Sequence, residues 1–110
     1  MTESQIQTDI LRAINSRSDA RVFRNHVGKV CDHQGRWHSF GLAPGSADLI
    51  GWRQVVIQPE HVGTVIAQFV SLEVKSATGR PSKQQQTWEC IVNQHGGCAR
   101  IVRSVEDAKL

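Results

Sequence analysis

Ile6, Ile10, Leu11 and Ile14 recur at the three- and four-residue spacing of one helical face. Ahead of them Thr2-Glu3-Ser4-Gln5 has the spacing of a capping box, with Thr2 as N-cap and Gln5 at the third helical position. The pattern predicts a first helix of about three to four turns. At about 100° per residue Glu3 falls in line with Ile6 and Ile10 on the inward face, while Asp9 falls well off that line. Arg21-Val22-Phe23-Arg24 reads as a short strand, and residues 25–35, punctuated by Gly28 and Gly35, as a loop or hairpin. Arg36-Trp37-His38-Ser39-Phe40 then alternates polar and apolar. Pro44-Gly45 is a turn signal that delivers Ser46-Ala47-Asp48 into a strand through Leu49-Ile50-Gly51-Trp52, extended as far as Pro59. Glu60-His61-Val62-Gly63 turns the chain into residues 64–75, the longest strand-like run. Pairing of these two runs as a hairpin would set the strand of Asp48 beside that of Glu73.

Thr78-Gly79-Arg80-Pro81 breaks the pattern, and Ser82-Lys83-Gln84-Gln85 forms a second capping box. It opens a helix with Trp88, Ile91 and Val92 on one face, stopped by Gly96-Gly97. Residues 98–103 form a further strand, after which Ser104 caps a short terminal helix. Strand, helix, strand over residues 69–103 is a βαβ unit and predicts parallel strands. The expected architecture is a single α/β domain over residues 1–110 with a mixed central sheet flanked by helices, in α-β-β-β-α-β order.

Composition narrows the class. The 110 residues suffice for one modest core. No run approaches the ~20 apolar residues of a membrane span, and the N-terminus lacks a signal-peptide layout. A cytoplasmic protein of a bacterium or a phage-infected host cell is expected. Cys31, Cys90 and Cys98 are odd in number and unpatterned, which argues for reduced thiols over a disulfide framework. The net charge of +3 permits a nucleic-acid partner without demanding one. Arg21, Arg24, Lys29, Arg36, Arg80 and Lys83 are candidate phosphate contacts by their position along the chain.

The chemistry concentrates in Asp48 and in Leu72-Glu73-Val74-Lys75. Side chains at i and i+2 of a strand share a face, so Glu73 and Lys75 point the same way, about 6.6 Å apart along the chain. Val70, Leu72 and Val74 are expected to point oppositely, into apolar surroundings. A hard ion such as Mg²⁺ takes carboxylate and carbonyl oxygens. Asp48, Glu73 and the main-chain carbonyl of Val74 would supply them, with Lys75 neutralising developing charge. A Glu-Lys pair on a solvent face, with Asp48 a turn residue, is the competing reading of either motif alone. His26, Cys31, His33 and His38 lack zinc-site framing, although His33 and His38 come nearest. Trp37, Trp52 and Trp88 read as core or interface residues.

The ordered combination is more specific. Phe23-Arg24-Asn25 with Val27-Gly28, Phe40-Gly41-Leu42-Ala43-Pro44-Gly45-Ser46-Ala47-Asp48, Glu73-Val74-Lys75, Thr78-Gly79-Arg80, Ser82 with Gln85 and Val102-Arg103-Ser104-Val105-Glu106-Asp107 run in order over nearly the whole chain. Together they resemble the VRR-NUC domains of the PD-(D/E)xK nuclease superfamily. Ala47 stands where the superfamily motif has Pro, and Ser104 departs from the family pattern, while the acid Asp48 is kept. The resemblance implies a restriction-endonuclease-like core and a Mg²⁺- or Mn²⁺-dependent endodeoxyribonuclease. Asp48 and Glu73 would be metal ligands, Lys75 the catalytic lysine, Glu3 the first-helix acid and Gln85 a supporting helix glutamine. Gln85 also has a purely capping reading, and Glu3 a reading as compensation of the helix dipole. Branched DNA such as a Holliday junction is the implied substrate, in a DNA-repair setting, and a C₂ homodimer the simplest assembly for paired cuts. The alternative from another class is a non-catalytic DNA-binding accessory module on a nuclease fold.

Overall fold

A computed structural model describes residues 2–110, and the chain divides into two units, residues 1–53 and 54–110. The first unit runs α1 (Glu3–Asn15), β1 (Ala20–Arg24), β2 (Gly28–Cys31), β3 (Trp37–Phe40) and β4 (Leu49–Arg53). The capping box on α1 closes in both directions: Gln5 N–H donates to Thr2 Oγ1 at 3.2 Å, and Thr2 N–H donates to Gln5 Oε1 at 3.0 Å. Helix α1 packs on β1. Its half-buried positions are Gln7, Thr8, Leu11 and Ile14, whereas Ile6 and Ile10 are exposed. The face shared by Glu3, Ile6 and Ile10 is therefore not the covered one, contrary to the spacing argument. Arg24 explains the rotation, because its guanidinium bonds Gln7 Oε1 at 3.0 Å and Thr8 Oγ1 at 2.9 Å.

Strands β1 and β4 pair antiparallel from Ala20 with Arg53 to Arg24 with Leu49. Gly51 suits this pairing, since a Cβ there would lie 1.8 Å from the Arg21 carbonyl oxygen. The outer backbone edge of β1 is closed by Asn15, whose amide donates to Val22 C=O at 3.0 Å and accepts from Val22 N–H at 2.9 Å. Strands β2 and β3 form a separate antiparallel hairpin, almost wholly exposed.

The second unit contains a 3₁₀ turn at Pro59–His61, β5 (Val70–Val74), α2 (Lys83–Gln94), β6 (Cys98–Val102) and a 3₁₀ turn at Glu106–Ala108. Strands β5 and β6 are parallel with α2 between them in sequence, as the βαβ pattern predicts. Val92, Ala99 and Val102 are its buried residues. Trp88 anchors α2 to β5, donating its indole N–H to Ser71 Oγ at 2.7 Å and meeting Phe69 edge-on at 6.3 Å.

Among the described residues the result is a small mixed α/β fold with two helices and three two-stranded sheets. The long strand expected over 64–75 is only Val70–Val74, residues 54–58 are not a strand, and β4 pairs with β1 instead of forming the expected hairpin. Local bonds supply the reason. Gln58 N–H donates to His61 Nδ1 at 3.0 Å, and Thr64 Oγ1 donates to His61 C=O at 2.6 Å, so polar groups around Pro59 close a turn. Such side-chain bonds compete with a ladder, and Pro59 has no N–H to give one.

Asn93 repeats in α2 what Asn15 does in α1: its amide donates to Ala99 C=O at 3.0 Å and accepts Ala99 N–H at 2.8 Å. Asn93→Ala leaves both backbone groups short of a partner and is expected to destabilise the fold by about 2 kcal/mol, within the range for unpaired buried polar groups. Asn15→Ala, whose bonds are exposed, should cost about half of that. Urea unfolding of the two variants beside the parent checks both the size and the order.

Candidate active site

Asp48 lies at the step into β4. Its carbonyl accepts Asn25 N–H at 2.8 Å, continuing the β1–β4 ladder by one rung. Its side chain is exposed, and among the described residues the carboxylate makes no hydrogen bond or ion pair. Glu3 is the first residue of α1 and is also exposed. Glu73, Lys75 and Gln85 belong to the second unit.

In β5 the burial alternates, but in the opposite sense to the expectation. Ser71, Glu73 and Lys75 are half-buried, while Val70, Leu72 and Val74 are exposed, Val74 at 70%. Trp88 is the cause. Its bond to Ser71 Oγ brings α2 over the polar face of β5, and Glu73, two residues on, follows Ser71 under the helix. Glu73 thereby lines a cavity of about 330 Å³ together with Ser71, Gln85, Trp88, Glu89 and Arg100. Gln85 has two functions here: its Oε1 accepts Ser82 N–H at 2.8 Å to close the capping box, and it also lines the cavity.

Glu89 is the group that sequence reasoning missed. Its Oε2 is buried with no hydrogen-bond partner among the described residues. The available signal was its spacing, one helical turn after Gln85 and next to the anchoring Trp88. Glu73 likewise makes no hydrogen bond or ion pair among the described residues. The cavity thus offers oxygen donors whose lone pairs nothing else claims, the chemistry that suits a hard divalent cation. No three His, Cys, Asp or Glu residues cluster closely enough to form a complete protein cage among the described residues. The arrangement matches an ion held by one or two carboxylates with the remainder left to water and phosphate.

The turn after β5 is also held. Lys75 N–H donates to Val102 C=O at 3.0 Å, and Arg103 Nη1 bonds the carbonyls of Ser76 and, at 2.7 Å, of Gly79. Arg103 was legible as a strand-end residue and as part of the Val102-Arg103-Ser104 run that resembles the family, but not as the holder of this turn. The candidate DNA contacts divide into two groups. Arg21 bonds the carbonyls of Arg17 and Ala20 at 2.7 and 2.6 Å, Arg24 bonds α1, and Arg36 bonds Asp32 at 3.3 Å and Gln34. Lys29, Arg80 and Lys83 are exposed with no side-chain partner among the described residues. Trp52, tilted against Phe23 at 5.6 Å, and Trp88 pack as expected, while Trp37 is 69% exposed on the hairpin.

Asp32 ties that hairpin together. It accepts His38 Nε2 at 2.8 Å, the N–H groups of Gln34 and Arg36 at 2.9 Å each, and Arg36 Nε. These bonds, that from His38 first, hold its carboxyl below the usual carboxylate range.

A model of the VRR-NUC domain family matches residues 1–106. The chain belongs to the VRR-NUC domain family. No curated protein and no solved structure matches it. A VRR-NUC domain is a nuclease domain, so the protein has a nuclease-type, DNA-processing function with DNA as its partner. No helix among the described residues of this VRR-NUC domain is long and apolar enough to cross a membrane.

Because Asp32 is stabilised as the anion, its contribution is complete above its unfolded pKa of about 3.9 and is lost as pH falls through the lowered folded value. The Asp32 carboxyl ¹³C resonance is expected to titrate with a midpoint below about 3.9. A midpoint at or above that value contradicts the hydrogen-bond arrangement.

Proposed function

We propose that this VRR-NUC domain is a divalent-metal-dependent endodeoxyribonuclease selective for branched DNA such as four-way junctions. In this reading residues 1–110 form one domain, which the family match across both units supports. The observation that carries the proposal is the unclaimed carboxylate of Glu73 in a cavity it shares with the orphaned Glu89 Oε2 and with Gln85.

Asp48 and Glu73 are the ligands for Mg²⁺ or Mn²⁺, with the Val74 carbonyl as an additional oxygen. When bound, the cation supplies Lewis-acid polarisation of a phosphoryl oxygen. Lys75, on the Glu73 face of β5, orients the attacking water or takes its proton and balances negative charge developing on the phosphate. Gln85 holds the start of α2 against the site, and Glu3 adds a carboxylate from α1. Exposed Lys29, Arg80 and Lys83 give sequence-independent phosphate contacts, and Arg21, Arg24 and Arg36 reinforce them with the donors left after their internal bonds. Symmetric cutting of a junction needs two centres, which a C₂ homodimer supplies. Three free thiols suit a reducing bacterial or phage-infected cytoplasm.

The test is cleavage of a panel comprising a four-way junction, a flap, a linear duplex and a single strand, each with Mg²⁺, Mn²⁺ or EDTA. The parent should cut the junction fastest and only with metal. Asp48→Ala and Glu73→Ala should each lose at least about 10²- to 10³-fold in rate, the scale of removing one group that stabilises transition-state charge, while keeping junction binding. Metal-independent binding with no cutting by the parent would instead establish an accessory DNA-binding module.

A further inference from the structure

Asp48 reaches its position without help from its own side chain, which makes no bond among the described residues. What sets it is the loop from Gly41 to Ala47, and that loop is organised on one residue. Asn25 Oδ1 accepts Leu42 N–H at 2.9 Å. Its Nδ2 donates to Ser46 Oγ at 2.7 Å and to Ala47 C=O at 2.9 Å, and its own N–H reaches Asp48 C=O at 2.8 Å. A donor at Leu42 and an acceptor at Ala47 allow only one orientation of the amide, so the placement has no flipped equivalent.

Ser46 passes the constraint on. Its hydroxyl gives its one hydrogen to Ala43 C=O at 2.6 Å and accepts from Asn25 Nδ2 and, at 3.3 Å, from Ala43 N–H. The hydroxyl is then saturated. At the start of the loop the backbone lies directly on the segment after Asn25: a Cβ on Gly41, at φ +87°, would sit 2.3 Å from His26 O and 2.7 Å from Val27 Cα. Both ends of the loop are thus fixed to residues 25–27.

We propose that Asn25 is a positioning residue for the acid Asp48, acting through the Ser46 hydroxyl and the loop backbone and never touching the ion or the DNA. The inference rests on the reading of Asp48 as a metal ligand. Removal of a group that orients a ligand lowers metal affinity by about 10- to 100-fold, whereas removal of a merely structural bond lowers stability alone.

The experiment measures Mn²⁺ binding directly by electron paramagnetic resonance for the parent, Asp48→Ala, Asn25→Ala and Asn15→Ala, with amide hydrogen exchange at Leu42 recorded on the same samples. Asn15→Ala is the control. It loses two side-chain bonds to β1 in the same unit and does not touch the loop. Asn25→Ala should speed exchange at Leu42 and weaken Mn²⁺ by about 10- to 100-fold, and Asn15→Ala should do neither. Faster exchange with Mn²⁺ affinity unchanged, or equal weakening by Asn15→Ala, would overturn the inference while Asp48→Ala still weakens binding. Unchanged Mn²⁺ affinity in Asp48→Ala would overturn it from the other side, by removing the assignment of Asp48 itself.

Discussion

A strand in a two-stranded sheet has one backbone edge paired and the other bare, and the bare N–H and C=O groups must find partners. Asparagine side chains meet this constraint at two strands, and a third asparagine serves a loop in the same way. Asn15 from α1 closes Val22 of β1, and Asn93 from α2 closes Ala99 of β6, each with one donated and one accepted bond. Asn25, just beyond β1, does the same for the loop that leads to Asp48. An asparagine amide presents the donor and acceptor of a peptide group on a short stem, so it can stand in for a missing neighbouring strand. Helix, strand and loop are joined in this way within units that bury few side chains completely.

The same polar bonding decides which face of β5 is covered. Burial of Val70, Leu72 and Val74 beneath α2 would have left Glu73 and Lys75 in solvent, as an ordinary surface pair. Trp88 instead takes Ser71 as its hydrogen-bond partner, and the period of two carries Glu73 and Lys75 to the covered side. A carboxylate placed there without a donor is costly unless something else occupies its lone pairs. Glu89 adds a second such oxygen to the same cavity, and those two groups together are what support the proposal of a cation there. At Asp48 the logic differs. That carboxylate is exposed, and the precision resides in the backbone that carries it.

Local signals were the legible part of the sequence. Both capping boxes, Thr2 with Gln5 and Ser82 with Gln85, form in each direction, because a box depends on four consecutive residues and little else. The parallel β5–α2–β6 unit was legible for a related reason: Gly79 and Gly96 bracket the helix, and the run of Cys98 to Val102 has the length of a strand and falls short of a helix. Pairing between distant runs was not legible. The alternation over residues 64–75 fits a long hairpin strand, but nothing in that pattern registers His61 bonding back to Gln58 and forward to Thr64. The covered face of α1 was misread because Arg24, seventeen residues from Gln7, selects it. Glu89 escaped notice because a glutamate within a helix is ordinary until its burial is known, and the bonds of Asn25, visible only as part of the Phe23-Arg24-Asn25 run, because they reach residues about twenty positions on.

The proposed function turns on Asp48 and Glu73 holding one cation. Anomalous diffraction from crystals of this protein grown with Mn²⁺ tests it without reference to activity. The account predicts one strong anomalous peak within about 2.3 Å of a carboxylate oxygen of each residue, as expected for a hard divalent ion on oxygen ligands. A peak bound to only one of the two acids, or Mn²⁺ found solely elsewhere on the chain, would contradict it.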